Sequence, residues 1–231
     1  MTETILITGA NRGIGLELAR TFSANGWDVL ACCRHPEKAD DLQNLIADNN
    51  HVHSYALDVT DQEAVRRLAV GLKDRPIDIL FNNAGIFGPR EQGFGDVDPE
   101  AWLEVLRTNV VAPMKMIEAF IAQVTAGQRK IVASMGSMMG SIADNNSGGY
   151  YIYRSSKAAV HMVMKSLAID LHDQSIISVV FHPGWVRTDM GGSTAPTTPQ
   201  ESAAGLYRVL TGLTTSDSGK LLTYKGEQLP W

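Results

Sequence analysis

The chain has 231 residues, of which 44% are hydrophobic and 19% charged, a composition typical of globular proteins rather than disordered segments. A net charge of −5 argues against nucleic acid as a partner, because no basic excess balances a phosphate backbone. The N-terminus lacks the basic and apolar pattern of a signal peptide, and no apolar run approaches the ~18 residues that span a bilayer. Cys32 and Cys33 are adjacent and poorly suited to pair with each other. We therefore expect a cytoplasmic protein without a membrane partner.

Short apolar segments alternate with segments of helical periodicity along the chain. The former predict strands at 5–7, 29–33, 51–57, 77–81, 130–134, 176–181 and 220–224. The latter predict helices at 13–25, 38–48, 61–73, 99–125, a stretch carrying Lys157 to about 172, and 199–212. This alternation predicts an α/β fold, with residues 1–231 in a single domain: a Rossmann-type, doubly wound parallel sheet of about seven strands, with helices on both faces.

A glycine-rich turn joins the first strand to the first helix. Its glycines would let the backbone approach a pyrophosphate, and the helix N-terminus would favour the negative charge. The spacing is TGxxxGxG rather than GxGxxG, and glycines can also serve a plain turn. The position between strand and helix nevertheless predicts a dinucleotide site that includes Gly9, Asn11, Arg12, Gly13, Ile14 and Gly15.

The end of the second strand bears on the choice between NAD and NADP. An acidic residue there would hydrogen-bond a ribose 2′-hydroxyl, but Asp28 lies at the opposite end of the strand. Arg34 follows the strand and, together with Arg12, could pair with a 2′-phosphate. Either arginine could instead be a solvated surface charge. The pattern favours NADP(H), with NAD(H) left possible.

Polar residues follow the third and fourth strands. Asp58 and Val59 could bind the adenine, although Asp58 could also be a displaced helix cap. Asn83, Ala84 and Gly85 could border the cofactor or form an ordinary Asn/Gly turn.

A tyrosine and a lysine stand four residues apart in a predicted helix. Tyr153 and Lys157 would share one helical face, so the cation could lower the phenol pKa and prepare it for proton transfer. Such a pair also occurs on solvated helix faces. Tyr150 and Tyr151 do not have the spacing to share a site with Lys157.

These motifs, taken in order, resemble those of the short-chain dehydrogenase/reductase family. The likeness rests on the glycine turn, Asp58, the segment 82–85, Asn109, Ser137, the Tyr153/Lys157 pair and the segment 183–188. Residues 148–157, 182–192 and 228–231 further resemble a subgroup of carbonyl reductases that includes sniffer and C-factor-like proteins.

The resemblance implies a role for each matching residue. Tyr153 would be the acid/base, Ser137 would hydrogen-bond the substrate carbonyl, and Lys157 would bind the nicotinamide ribose. Asn109 would hold a water molecule that connects Lys157 with solvent. The nicotinamide end of the cofactor would be bound by Pro183, Gly184, Val186 and Thr188.

Several neighbouring residues offer alternatives for parts of the site. Ser134 is a second candidate for the role of Ser137. Methionines at 135, 138 and 139 could form an apolar substrate wall or pack within a loop. His51 and His53 share a strand face, but no convergent ligands accompany them, so no metal is expected.

The sequence thus predicts an NADPH-dependent oxidoreductase that interconverts a small-molecule carbonyl (an aldehyde or ketone) and the corresponding alcohol. The alternative is a signalling or regulatory protein of the C-factor type, which binds the cofactor with little or no turnover. The short, Gly/Thr/Pro-rich segment 190–200 indicates an open pocket. The family resemblance also implies a homodimer or homotetramer that forms through the helices at 99–125 and 153–172.

Overall fold

The computed structural model describes residues 2–231, and its centre is one eight-stranded sheet. The strands are β1 (Thr4–Thr8), β2 (Asp28–Cys33), β3 (Val52–Ala56), β4 (Ile79–Asn82), β5 (Ile131–Met135), β6 (Ile177–His182), β7 (Leu221–Thr223) and β8 (Gln228–Leu229). Their order across the sheet is β3-β2-β1-β4-β5-β6-β7-β8, and every pairing is parallel except that of β7 with β8. The prediction of a doubly wound α/β sheet is confirmed.

Helices connect the strands and cover both faces of the sheet. They are α1 (Gly13–Ala24), α2 (Asp40–Asp48), α3 (Gln62–Gly71), α4 (Pro99–Leu106), α5 (Ala112–Ala126), α6 (Tyr151–Asp170) and α7 (Pro199–Gly212). One apolar core lies between the sheet and α1, α2 and α7, and the other lies between the sheet and α3, α5 and α6. The central strands are buried on both faces, which is why they read as continuous apolar runs in the sequence.

Two elements differ from the sequence-based prediction. The predicted last strand, 220–224, is followed by β8, a two-residue antiparallel strand that has too little sequence to show a period. The predicted helix 99–125 contains a π-helical segment, Arg107–Val111, between α4 and α5. Hydrophobic periodicity cannot reveal a single wider turn inside a long helix.

The order of the strands determines where a ligand can bind. The chain leaves β1 in one direction to build β2 and β3, and it builds β4 to β7 in the other direction. The connections therefore diverge at the carboxyl ends of β1 and β4, where open α/β sheets form a crevice.

No helix within residues 2–231 has both the length and the apolar character to cross a membrane.

Candidate active site

A cleft of about 1360 Å³ opens at the carboxyl ends of the strands. This is larger than the roughly 300–1,000 Å³ of a typical small-molecule pocket and leaves room for a dinucleotide together with a substrate. The cleft is lined by all of the predicted cofactor-binding residues, together with Ser137, Tyr153 and Lys157. The fold thus brings together residues that follow six separate strands, β1 to β6.

The glycine turn is fixed against the end of β4 by hydrogen bonds. The Nδ2 of Asn83 donates to the carbonyl oxygens of Thr8, at 2.9 Å, and Gly9, at 3.1 Å. The Thr8 hydroxyl in turn accepts from the backbone N–H groups of Asn83 and Ala84, each at 3.0 Å. A Cβ on Gly15 would lie 2.2 Å from the Gly9 carbonyl oxygen, so this tight packing requires glycine. Asn83 therefore holds the turn in shape.

This geometry fits a bound dinucleotide. Gly9 and Gly13 adopt φ values of +67° and +54°, and neither carries a side chain that would cover the amino end of α1. The first N–H groups of the helix have no partner within it and can donate to the oxygen atoms of a pyrophosphate. The glycine turn therefore has the shape that the sequence predicted.

Basic and acidic side chains meet at the end of the cleft that was predicted to hold the adenine. Arg34 is exposed there, and Lys38, which the sequence-based prediction missed, also lines the wall. Burial opposes ionisation of Asp58, but hydrogen bonds from Thr60 and the charge of Arg34 outweigh it and lower the Asp58 pKa. Asp58 stabilises a turn before α3, whereas the helix cap is Asp61.

Arg12 forms an ion pair with Asp189 across the mouth of the cleft. Both side chains are exposed, and the pair joins the glycine turn to the loop after β6. Arg12 lines the cleft as predicted, but in this structure its partner is a carboxylate. No local pattern could have indicated this partner, which lies 177 residues away.

Tyr153 and Lys157 are both buried on the face of α6 that lines the cleft. The Nζ of Lys157 donates to the Met135 carbonyl oxygen at 2.8 Å and lies 5.6 Å from the centre of the Tyr153 ring. Burial raises the pKa of Tyr153 to about 12, with Ser137 acting in the opposite direction, and lowers the pKa of Lys157 to about 8. The predicted lowering of the phenol pKa is therefore absent in this structure, because burial outweighs the effects of neighbouring groups.

Ser137 is the only one of three nearby serines that lines the cleft. Its Oγ accepts from the Met139 backbone N–H at 3.1 Å, which leaves the hydroxyl proton free to donate. Ser134 points toward α6, where its hydroxyl contacts the Met164 sulfur, and Ser141 accepts from Asp144. The structure thus distinguishes Ser137 from Ser134, which spacing could not do.

Asn109 lies in the π-helical segment, beneath the cleft rather than in its wall. Its Oδ1 accepts from the Ile86 N–H at 2.9 Å, and its Nδ2 donates to the Ile86 carbonyl and to the Ser156 hydroxyl. Asn109 therefore ties the segment that follows β4 to Ser156 of α6, one residue from Lys157.

Gln92 supports the start of α6 and was missed by the sequence-based prediction. Its carbonyl oxygen accepts from the Tyr151 N–H at 3.2 Å, and its Oε1 accepts from the Tyr153 N–H at 2.9 Å. The residue before α6, Tyr150, provides no side-chain cap. A residue 61 positions from Tyr153 thus satisfies the first donors of the helix, and no local pattern could have shown this.

The segment after β6 closes the end of the cleft that was predicted to hold the nicotinamide. Pro183, Gly184, Val186 and Thr188 line it as predicted, and the Thr188 Oγ1 accepts from the Gly191 N–H at 3.1 Å. The end beside Ser137, which was predicted to hold the substrate, is largely apolar, with a wall formed by Phe87, Met138, Met139, Tyr150, Trp185 and Met190. Of the methionines considered from the sequence, all three reach the cleft.

Known proteins resemble this chain in sequence and in structure. The short chain dehydrogenase family matches residues 3–199. The chain belongs to this family. It is 38% identical over 167 residues to the C-signal of Myxococcus xanthus, an alignment that covers 72% of this chain and 100% of the relative.

Two solved structures resemble this chain along its whole length. The carbonyl reductase Sniffer of D. melanogaster has a TM-score of 0.95 and 33% identity, with 100% of both chains covered. The NADPH-bound carbonyl reductase from chicken fatty liver has a TM-score of 0.92 and 32% identity, with 100% of this chain and 99% of the other covered. The predicted family is confirmed, and membership of it makes the chain an oxidoreductase.

Within residues 2–231, no group of three or more His, Cys, Asp and Glu side chains is arranged to bind a metal ion. His51 instead contacts Asp28, with 2.9 Å between the His51 Nδ1 and the Asp28 Oδ1. Cys32 and Cys33 are buried and unpaired, and burial raises both pKa values. A buried thiol with a raised pKa is a poor nucleophile.

Proposed function

We propose that this protein is an NADPH-dependent carbonyl reductase that converts an aldehyde or ketone to an alcohol. The observation that carries this proposal is the convergence of Ser137, Tyr153 and Lys157 at one end of a cleft whose other end begins at a glycine turn. The similarity to an NADPH-bound carbonyl reductase supports it, as does Arg34 at the adenine end.

The protein's contribution is to orient the carbonyl and provide a proton. The cofactor supplies the hydride when it is bound. Ser137 has a free hydroxyl proton for the substrate oxygen, and hydrogen bonding there stabilises negative charge as it develops. Tyr153 remains protonated at neutral pH because its pKa is about 12, which suits it to donate a proton in the direction of reduction.

Lys157 and the loop after β6 would orient the cofactor. The Lys157 ammonium is held by the Met135 carbonyl in the cleft and would donate to a hydroxyl of the nicotinamide ribose. Thr188 and the neighbouring Pro183 and Gly184 would bind the carboxamide and ring of the nicotinamide. Asp58, Val59 and the segment 83–85 would border the adenosine.

The acid role of Tyr153 is tested by Tyr153→Phe. We expect kcat for NADPH oxidation with a panel of aldehydes and ketones to fall by roughly 10²- to 10⁴-fold, with NADPH still bound. Tyr151→Phe is the matched control, because Tyr151 occupies the same helix but does not line the cleft, and it should leave kcat unchanged. Equal and measurable turnover by wild type and Tyr153→Phe would refute the role.

The cofactor preference is tested by Arg34→Asp. A carboxylate at this position would repel a 2′-phosphate, so the variant should favour NADH where the wild type favours NADPH. Quenching of intrinsic fluorescence by each nucleotide gives both dissociation constants. A preference that does not change would contradict the proposed role of Arg34.

A second candidate function is signalling or regulation with little turnover, which the 38% identity to the C-signal favours. In that case the nucleotide would act as a ligand. Nucleotide binding without turnover of any carbonyl tested, by wild type and Tyr153→Phe alike, would support this candidate over the enzyme.

We also propose that residues 1–231 act as one domain, in the cytoplasm, and assemble as a homodimer or homotetramer. Apolar side chains on the outer faces of the two predicted interface helices support assembly, namely Leu103, Val111, Met162 and Ile169. Light scattering that shows only a 25.1 kDa species at micromolar concentration would refute it.

A further inference from the structure

A buried histidine lies beneath the loop that carries Ser137. His161 is one helical turn beyond Lys157 on α6 and is 3% exposed. Its Nε2 accepts a hydrogen bond from the Ser137 backbone N–H at 3.3 Å, whereas its Nδ1 has no partner within residues 2–231. Burial, aided by the charge of Lys157, lowers the pKa of His161 to about 3, so the ring is neutral and able to accept.

The backbone on either side of Ser137 rests directly on this imidazole ring. A Cβ on Gly136 would lie 2.6 Å from the His161 Nε2, and a Cβ on Gly140 would lie 2.6 Å from its Cε1. Neither position has room for a side chain. The ring therefore determines the height of the segment 136–140 above α6.

The last residue of the chain holds the other side of the same ring. The Trp231 indole packs against His161 with 5.6 Å between ring centres. The Trp231 carbonyl oxygen also accepts from the Ala143 N–H at 3.0 Å, which fixes the far end of the loop. The loop that forms one wall of the substrate site is thus held by two residues that do not line the cleft.

We propose that His161 is a positioning residue for Ser137, with Trp231 holding its ring in place. This inference rests on the proposed function, in which the Ser137 hydroxyl meets the substrate oxygen. The His161 acceptor fixes the Ser137 backbone, and the Met139 N–H fixes its Oγ, so the hydroxyl proton is directed to the cleft. An error of about 1 Å in such a group can cost on the order of 10²-fold in rate.

The first test compares His161→Leu with His161→Gln. Leucine fills similar space without an acceptor, so kcat should fall by roughly 10- to 100-fold while the NADPH dissociation constant from fluorescence quenching stays unchanged. Glutamine can offer its Oε1 to the Ser137 N–H and should restore most of the activity. Equal activity of His161→Leu and wild type would overturn the inference.

The decisive test repeats the substitution in a Ser137→Ala background. If His161 acts through Ser137, His161→Leu should cause no further loss in that background. An equal loss in both backgrounds would show a general structural effect and overturn the inference, while the proposed function would stand. If Ser137→Ala alone left kcat intact, the proposed role of Ser137 would fail, and the inference with it.

Two further variants separate the proposed effect on Ser137 from a general loss of structure. Trp231→Ala should lower kcat in the same direction but by less, and again only when Ser137 is present. Ser134→Ala should have no effect on kcat, because its hydroxyl faces α6 rather than the cleft. Circular dichroism and NADPH binding confirm the fold of each variant, and if His161→Leu does not fold, Trp231→Ala with and without Ser137 provides the double-mutant cycle. A loss in Trp231→Ala that persists without Ser137 would contradict the proposal.

Discussion

The cofactor end of the cleft is built mainly from backbone, whereas the substrate end is built from side chains that reach it from distant segments. At the cofactor end, Gly9, Gly13 and Gly15 leave room for main-chain contacts, and Asn83 holds the turn. At the substrate end, Ser137 rests on His161, and Gln92 supports the start of α6. The first construction tolerates almost no added volume, while the second depends on buried polar groups whose ionisation carries an energetic cost.

Gly15→Ala should weaken both the stability of the fold and NADPH binding at the cofactor end. The added methyl group would lie 2.2 Å from the Gly9 carbonyl oxygen, and we expect a loss of about 1–3 kcal/mol of unfolding free energy together with weakened NADPH binding. Urea unfolding and fluorescence titration measure the two quantities. Gly71→Ala is the matched control, because no atom lies within 4 Å of its Cβ position, and it should bind NADPH as the wild type does.

Acid should destabilise the substrate end selectively. The pKa values of His161 and His182 are lowered to about 3 and about 4 by burial, so the unfolded state binds more protons below pH 6.5. Stability is therefore complete above that pH and is lost as pH falls, by about 2 kcal/mol per histidine at pH 5. Urea unfolding at pH 7.5 and pH 5 should show a smaller decrease for His161→Gln than for the wild type. Identical decreases would mean that the imidazole is not held neutral.

Lys157 should show that the substrate end sacrifices stability for chemistry. Its folded pKa of about 8 lies below the ordinary value of 10.5. The free-energy cost of keeping the amine charged in the folded state is therefore complete below about pH 8. Lys157→Met should raise the unfolding free energy at pH 7 by about 1–2 kcal/mol, measured without NADPH, while abolishing turnover. A less stable variant would indicate that the bond to the Met135 carbonyl outweighs the cost of burial.

The smallest effect concerns the ion pair between Arg12 and Asp189. Both side chains are exposed, so Asp189→Asn should change the unfolding free energy by less than ~1 kcal/mol. If Arg12 also pairs with the 2′-phosphate, removal of its competitor should tighten NADPH binding by a few-fold and leave NADH unaffected. Equal changes for both nucleotides would exclude that role for Arg12.

Most of the cofactor end could be predicted from the sequence because its signals are local. The glycine turn occupies consecutive positions between a strand and a helix, and the helix 199–212 was predicted with the bounds that the structure shows. The structure also confirmed that Tyr153 and Lys157 share one face, since four residues bring two side chains to the same side of a helix. The prediction of a lowered Tyr153 pKa was wrong, because the spacing of two residues carries no information about their burial.

The sequence by itself determined the family, the order of the strands and helices along the chain, and most of the residues that line the cleft. Only the tertiary structure decided that Ser137 rather than Ser134 faces the cleft, and that Arg12 meets Asp189. The tertiary structure also decided the contacts of His161 and Trp231 beneath the segment 136–140. The physical reason is that helix and strand periods act over a few residues, whereas burial and hydrogen bonding at the site join segments far apart in the chain.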